Sequence, residues 1–278
     1  MDDFKGKTAV ITGGASGIGH AVATRLGREG MNLVLADIEA GPLNEAVVEF
    51  ESAGVPVLGV ITDVADFESV EALAAATTER FGDVHILFNN AGVAGGGPMT
   101  EPDLGVWDWV LGVNLFGVLH GIKAFAPGMI AHGDPCHIIN TASIAGLLPM
   151  PAGGVYTVSK YGVVAMSETL MLETHDATEM GVSVLCPGFV STRLGEADRN
   201  IPEHLATLDE PTEEEEAIRE MFKAFIAGGI PAEAVADVVF DAIVSNRLYV
   251  LPHPEFADAI NLRAESIVAG SSPPTWLG

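Results

Sequence analysis

The chain has 278 residues, 48% of them hydrophobic and 18% charged, so it can build a full apolar core and does not read as disordered. Its formal net charge is −25, from 38 acidic against 13 basic side chains. Such a chain repels phosphate backbones and anionic lipid, which argues against nucleic acid or a membrane surface as a partner. Cys136 and Cys186 sit inside apolar runs and read as reduced strand residues. No Cys/His cluster has metal-ligand spacing, so no metal is expected. Residues 1–7 are charged and lead straight into a strand. With no signal peptide and no run of ~18 apolar residues, a cytoplasmic location is expected.

Short apolar runs alternate with longer amphipathic ones along the chain. Thr8–Thr12 predicts a strand, followed by a glycine turn and a helix to Arg28. Asn32–Asp37 is a second strand, with a helix from about Pro42 to Ala53. Val55–Thr62 and Val84–Asn89 are the third and fourth strands, on either side of a helix over Asp66–Phe81. A glycine-rich loop, Gly92–Pro98, leads to a long helical stretch over Asp103–Ala131 that Pro127 kinks or ends. His137–Ala142 is the fifth strand, Val155–Thr178 a helix and Val182–Pro187 the sixth strand. Nearly continuous apolar strands between amphipathic helices predict a doubly wound, Rossmann-type parallel α/β sheet in one domain, with ligands at the carboxyl ends of the strands.

The segment Gly188–Ile230 breaks this rhythm. It is polar and acidic, lacks an obvious strand, and carries a capping box at Thr212 and Glu215. It reads as a helical flap over a site, or else as a solvated excursion. A helix over Ala232–Ser245, a short strand at Tyr249–Leu251 and a helix over Glu255–Val268 follow. The tail Ser271–Gly278, with Pro273, Pro274 and Trp276, either packs on a neighbouring subunit or is loose.

Three features carry chemistry. The first is Thr12-Gly13-Gly14-Ala15-Ser16-Gly17-Ile18-Gly19, between the first strand and its helix. Glycines there let the backbone approach a pyrophosphate, and the helix N-terminus offers free N–H groups to it. The spacing is Gly-x-x-x-Gly-x-Gly, and on its own it also suits a plain tight turn. The second feature is Asp37 at the end of the second strand. A carboxylate there accepts hydrogen bonds from adenosine ribose hydroxyls and repels a 2′-phosphate, or it caps the next helix. No Arg or Lys stands at Ala15, Ser16 or just after Asp37, which favours NAD over NADP. Asp63 and Val64, after the third strand, lie where an adenine edge would, although Asp63 also suits a helix cap.

The third feature is Tyr156 and Lys160, at i and i+4 near a helix start, with Ser143 closing the fifth strand. A free phenol is a poor base at neutral pH, so a nearby ammonium and an oxidised nicotinamide are expected to lower its pKa. Ser143 is placed to hydrogen-bond a substrate oxygen. Taken singly, the Tyr–Lys pair suits a solvated helix face and the serine a turn.

Together with Asn89-Asn90-Ala91-Gly92, Asn114, Pro187-Gly188 and Thr192, these residues make the sequence resemble the short-chain dehydrogenase/reductase family, in family order and spacing over most of the chain. The resemblance implies that Gly13, Ser16, Gly17 and Gly19 cradle the cofactor pyrophosphate, with Ile18 donating from its backbone. Asp37 would hold the ribose, and Asp63 and Val64 would flank adenine. Asn90, Ala91 and Gly92 would line the cleft, and Pro187, Gly188, Val190 and Thr192 would hold the carboxamide end. Tyr156 would be the general acid or base, Lys160 would hold the nicotinamide ribose, and Ser143 would orient the carbonyl. Asn114 would hold a water that links Lys160 to solvent. Asn90 and Asn114 also suit plain bracing roles. Ala142 stands where relatives often carry another serine.

The expected activity is NAD-dependent interconversion of a secondary alcohol and a ketone. Val93–Met99, Ile144–Val155 and the flap, including Leu147, Leu148, Met150, Pro151, Phe189 and Met221, would face an apolar substrate such as a steroid, terpenoid or acyl chain, or would pack the loops. Two rivals are an NADP-dependent ketoreductase, which Asp37 disfavours, and a nucleotide-binding protein without turnover, which the intact Ser143, Tyr156 and Lys160 disfavour. The resemblance also implies a homotetramer or homodimer built on the helices at 103–131 and 155–178.

Overall fold

The computed structural model describes residues 1, 3–100, 104–206 and 213–273. Its strands are β1 (Thr8–Thr12), β2 (Asn32–Asp37), β3 (Val57–Ile61), β4 (Ile86–Asn89), β5 (Cys136–Thr141), β6 (Met180–Leu185), β7 (Val190–Ser191), β8 (Ile230–Pro231) and β9 (Tyr249–Val250). Its α-helices are α1 (Gly17–Arg28), α2 (Ala40–Ser52), α3 (Phe67–Phe81), α4 (Leu104–Leu111), α5 (Gly117–Ala131), α6 (Gly154–Thr174), α7 (Glu203–Ala206), α8 (Glu213–Ala227), α9 (Ala232–Ser245) and α10 (Ala257–Ala269).

Seven strands form one parallel sheet in the order β3-β2-β1-β4-β5-β6-β9. The period of two along each strand sends alternate residues into two cores. Ala9, Ile11, Leu33, Leu35, Ile86 and Phe88 pack with α1 and α9 on one face. Val10, Val34, Ala36, Leu87 and Ile138 pack with α3 and α5 on the other. Burial on both faces is why these strands are apolar at nearly every position. The strand order reverses between β1 and β4, and a crevice opens there at the carboxyl ends.

Three expectations need correction. Pro127 does not end its helix, which runs on to Ala131; the irregularity lies upstream, where Gly112–Phe116 forms a π-helical turn between α4 and α5. Leu104–Ala131 is also long and apolar enough to span a membrane by length and composition (28 residues, mean hydropathy 1.4). The sequence reading overlooks it because glycines, His120 and Lys123 interrupt the apolar run; here the stretch packs on α3, α6, β4 and β5. Finally, the flap does contain strand: β7 pairs in parallel with β8 across its base. Two-residue strands are too short for periodicity to reveal. The capping residue Thr212, Asp103 and the tail residues Pro274 and Trp276 lie outside the described residues.

Candidate active site

A cleft of about 590 Å³ runs along the carboxyl edge of the sheet. It begins at the glycine turn. Gly13 and Gly17 adopt φ of 64° and 55°, in the left-handed region where a Cβ is unfavourable. Gly19 faces inward, and a Cβ there would lie 2.1 Å from the Gly13 carbonyl oxygen, so only glycine lets α1 start this close to β1. Ser16 precedes α1 in extended conformation and makes no side-chain cap. The first N–H groups of α1 are therefore left for an anion in the cleft.

Asp37 sits at the end of β2 on the cleft wall. Its Oδ2 accepts from the Ala15 N–H (3.2 Å) and its Oδ1 from the Glu39 N–H (3.1 Å). Burial pushes the Asp37 carboxyl upward, and these backbone N–H groups oppose the shift. Each oxygen keeps acceptor capacity for a ligand hydroxyl. Asp63 and Val64 line the cleft after β3, with Asp63 Oδ1 accepting from the Ala65 N–H (2.9 Å). The residue that caps α3 is Asp66, not Asp63.

Asn90 is both wall and brace: its amide Nδ2 donates to the Thr12 carbonyl (3.1 Å), and its backbone N–H to Thr12 Oγ1 (2.9 Å). Asn114 is fully buried and is not on the cleft wall. Its carboxamide is engaged with Val93 in both directions (2.8 and 2.9 Å) and with Ser159 Oγ (3.3 Å). It projects from the π-helical turn, which supplies its position. Beneath it runs a buried polar relay, Asn89 to Asn140 (2.9 Å) to Ser167 (3.0 Å), tying β4, β5 and α6 together.

Tyr156, Lys160 and Ser143 converge on the cleft. Ser143 stands beside the Tyr156 phenol, and its Oγ donates to the Pro187 carbonyl (3.4 Å) and accepts from the Ala145 N–H (3.1 Å). Lys160 Nζ lies 5.6 Å from the Tyr156 ring centre and donates to the Thr141 carbonyl (3.0 Å). Burial pushes the Lys160 ammonium down to about 8. Burial also pushes the Tyr156 phenol up, and the nearby Ser143 hydroxyl opposes that shift. In the chain without a nicotinamide, desolvation sets the direction of the phenol's shift.

Of the expected site residues, Gly13, Ser16, Gly17, Ile18, Asp37, Asp63, Val64, Asn90, Ala91, Gly92, Ser143, Tyr156, Lys160, Pro187, Gly188, Val190 and Thr192 all border the cleft, while Gly19 and Asn114 stand behind it. The expected substrate-facing side chains fare worse. None of Leu147, Leu148, Met150, Pro151, Phe189 and Met221 is on its wall. Leu148 is core, Met221 is exposed, and Phe189 stacks on Phe225 at 5.2 Å. The apolar wall comes from Val93, Leu205 and Ile226, which belong to the expected loop and flap, and from Trp109 and Val113, which do not.

Sequence reasoning also missed His253. Its Nδ1 accepts from the Gly188 N–H (3.0 Å) while its Nε2 lies 3.1 Å from the Phe189 carbonyl oxygen, so it holds the turn after β6 from behind. It missed Glu39, Arg193, Arg199 and Asn200, which meet at one rim of the cleft. An i,i+4 signal could not have found either group, since their partners are 64 to 161 positions away in the chain.

Residues 7–202 match a family model described as short chain dehydrogenase. A solved short chain dehydrogenase/reductase from Burkholderia phymatum, in complex with NAD, is 44% identical, with 100% of both chains covered and a TM-score of 0.97. A "CLA biosynthesis dehydrogenase/reductase" of Lactiplantibacillus plantarum is 34% identical over 98% of this chain and 97% of its own. A "1-deoxy-11-beta-hydroxypentalenate dehydrogenase" of Streptomyces arenae is 34% identical over 90% of this chain and 83% of its own.

Proposed function

The chain belongs to the short chain dehydrogenase family, and on that premise we propose that it is an NAD(H)-dependent oxidoreductase interconverting a secondary alcohol and a ketone on an apolar substrate. The observation that carries this reading is the meeting of Tyr156, Ser143 and Lys160 in the same cleft as the glycine turn and Asp37. The uncapped start of α1 and the two left-handed glycines suit a pyrophosphate, and Asp37 suits an unphosphorylated ribose. The NAD complex of the Burkholderia phymatum relative supports the same cofactor here.

When bound, the nicotinamide supplies the hydride acceptor or donor, and its oxidised form adds a positive charge beside the phenol. The chain's own residues handle the proton. In the oxidising direction Tyr156 takes the hydroxyl proton as the carbon loses hydride. Ser143 hydrogen-bonds the developing oxyanion. Lys160, held by the Thr141 carbonyl, keeps its ammonium beside the phenol and would hold the nicotinamide ribose. Asn114 braces the Val93 backbone beneath the cleft.

Val93, Trp109, Val113, Leu205 and Ile226 favour a substrate with a substantial apolar body. The name of the Streptomyces arenae relative, a dehydrogenase of a hydroxylated compound, supports a terpenoid-like case among the steroid-, terpenoid- and acyl-like options. The chain acts as one Rossmann-type domain with a flap at about 188–231, assembled as a homotetramer or homodimer through the helices at 103–131 and 155–178. The exposed Leu104, Phe116, Val158 and Leu172 on those helices fit that interface.

Fluorescence titration with NADH and NADPH tests the cofactor reading. NADH is expected to bind more tightly because Asp37 repels a 2′-phosphate. A clear preference for NADPH would remove the NAD assignment.

A further inference from the structure

We propose that Glu39, Arg199, Arg193 and Asn200 form an ionic clasp that holds the flap across the adenosine end of the cleft and thereby sets how long the dinucleotide stays bound. The proposal rests on the cofactor reading above.

Glu39 stands two residues past Asp37, just before α2, where its backbone N–H is fixed by the Asp37 carboxylate (3.1 Å). Its side chain reaches across to the short 3-10 helix Arg193–Asn200 that opens the flap. There Arg199 Nε and Asn200 Nδ2 both donate to its Oε1 (2.7 and 3.0 Å), while Arg193 Nη1 approaches its Oε2 (3.6 Å).

Three observations make this more than a surface ion pair. The two sides lie about 160 positions apart in the chain, and Glu39, Arg193, Arg199 and Asn200 line the same cleft as Asp37 and Asp63. The arginine is also set in place beforehand: Arg199 Nη1 donates to the Arg193 and Glu196 carbonyls (2.9 and 2.8 Å), so its guanidinium loses little freedom in reaching Glu39. Finally, two of only 13 basic side chains in a chain of net charge −25 converge on one carboxylate. Both Glu39 and Arg199 are half-buried, at 21% and 27% exposure, so solvent screens their attraction incompletely.

Glu39, Arg193 and Arg199 border the cleft that also holds the glycine turn and Asp37. On this proposal a ligand leaving on the adenosine side has to part the clasp. Glu39 and Arg199 are therefore positioning residues, which act through the flap and not on the reacting atoms.

Stopped-flow displacement of NADH from the full chain tests this in the wild type, Glu39→Gln, Arg199→Ala and the double variant. Each single variant is expected to release NADH roughly two- to fivefold faster, the range of one modest ion pair. The double variant should release it no faster than the quicker single variant, because both substitutions break one interaction. Added salt should speed release from the wild type more than from Glu39→Gln. Release rates unchanged in both single variants, or effects that multiply in the double, would overturn the clasp while leaving NAD binding in place. No NADH binding by the wild type would overturn the clasp and the cofactor reading together.

Discussion

At the residue scale the site rests on a buried ammonium. Lys160 is nearly inaccessible, its charge has no carboxylate partner at hydrogen-bond distance among the described residues, and burial lowers it from 10.5 to about 8. Holding the charged form costs roughly 3 kcal/mol by direct conversion of that shift. Between pH ~8 and ~10.5 the unfolded chain binds the proton and the folded chain does not, so this group's destabilisation is complete below pH ~8 and fades as pH rises. Lys160→Met should therefore stabilise the chain at pH 7 by about 1–2 kcal/mol, after about 1 kcal/mol is lost with the bond to the Thr141 carbonyl. Thermal unfolding from pH 7 to 10.5 checks this: the variant's advantage should shrink with rising pH while its turnover is lost. A variant less stable than the wild type at pH 7 would mean that the ammonium is not under strain.

Tyr156 shows where residue-level reading of a sequence stops. The i,i+4 spacing with Lys160 identifies the pair, and the structure brings both to one cleft. The direction of the phenol's shift is decided by how much water the surrounding loops exclude, which spacing does not reveal. The six side chains expected to face substrate illustrate the same limit. Loop position and apolarity point to them, and Leu148 instead fills the core. Trp109, which does line the cleft, lies in a stretch that reads as interface helix.

At the element scale, the long regular elements were legible because each obeys one period. Every strand of the large sheet falls within two residues of its expected bounds. What was illegible depends on distant partners. The β7–β8 pair closes a 38-residue excursion with two residues a side, and the π-helical turn at Gly112–Phe116 leaves no compositional trace. Gly121 in α5 is another case. A Cβ there would meet Asn89 Oδ1 at 2.0 Å, displacing a buried carboxamide that bonds Asn140. Gly128 in the same helix has nothing within 4 Å. Gly121→Ala should cost ~2 kcal/mol or more, by overpacking and loss of the relay. Gly128→Ala should gain about 0.5–1 kcal/mol from helix propensity. Chemical denaturation separates them, and equal effects of the two substitutions would contradict the relay's role in fixing α5 on β4.

At the scale of the whole molecule, two patterns legible in the sequence agree with the fold. Alternating apolar strands and amphipathic helices give the doubly wound sheet, and its topology puts the glycine turn, Asp37, Asn90 and Ser143 at the carboxyl ends of β1, β2, β4 and β5. Chemistry concentrates there because the strand order reverses between β1 and β4 and leaves a crevice at the carboxyl ends. Within a chain of net charge −25, the glycine turn is a local site for an anionic dinucleotide. The flap completes the cleft from the opposite end of the chain, contributing Thr192, Leu194, Leu205 and Ile226.

The central claim is that Tyr156 moves the proton while a bound nicotinamide takes the hydride. Its most direct test is the appearance of reduced nicotinamide when wild type and Tyr156→Phe are given NAD and a panel of apolar secondary alcohols, with NADH binding measured in parallel. The account predicts turnover by the wild type, and at least a hundredfold less by Tyr156→Phe with NADH affinity kept, in line with a general base contributing about 10²–10⁴. Undiminished turnover by Tyr156→Phe would contradict it.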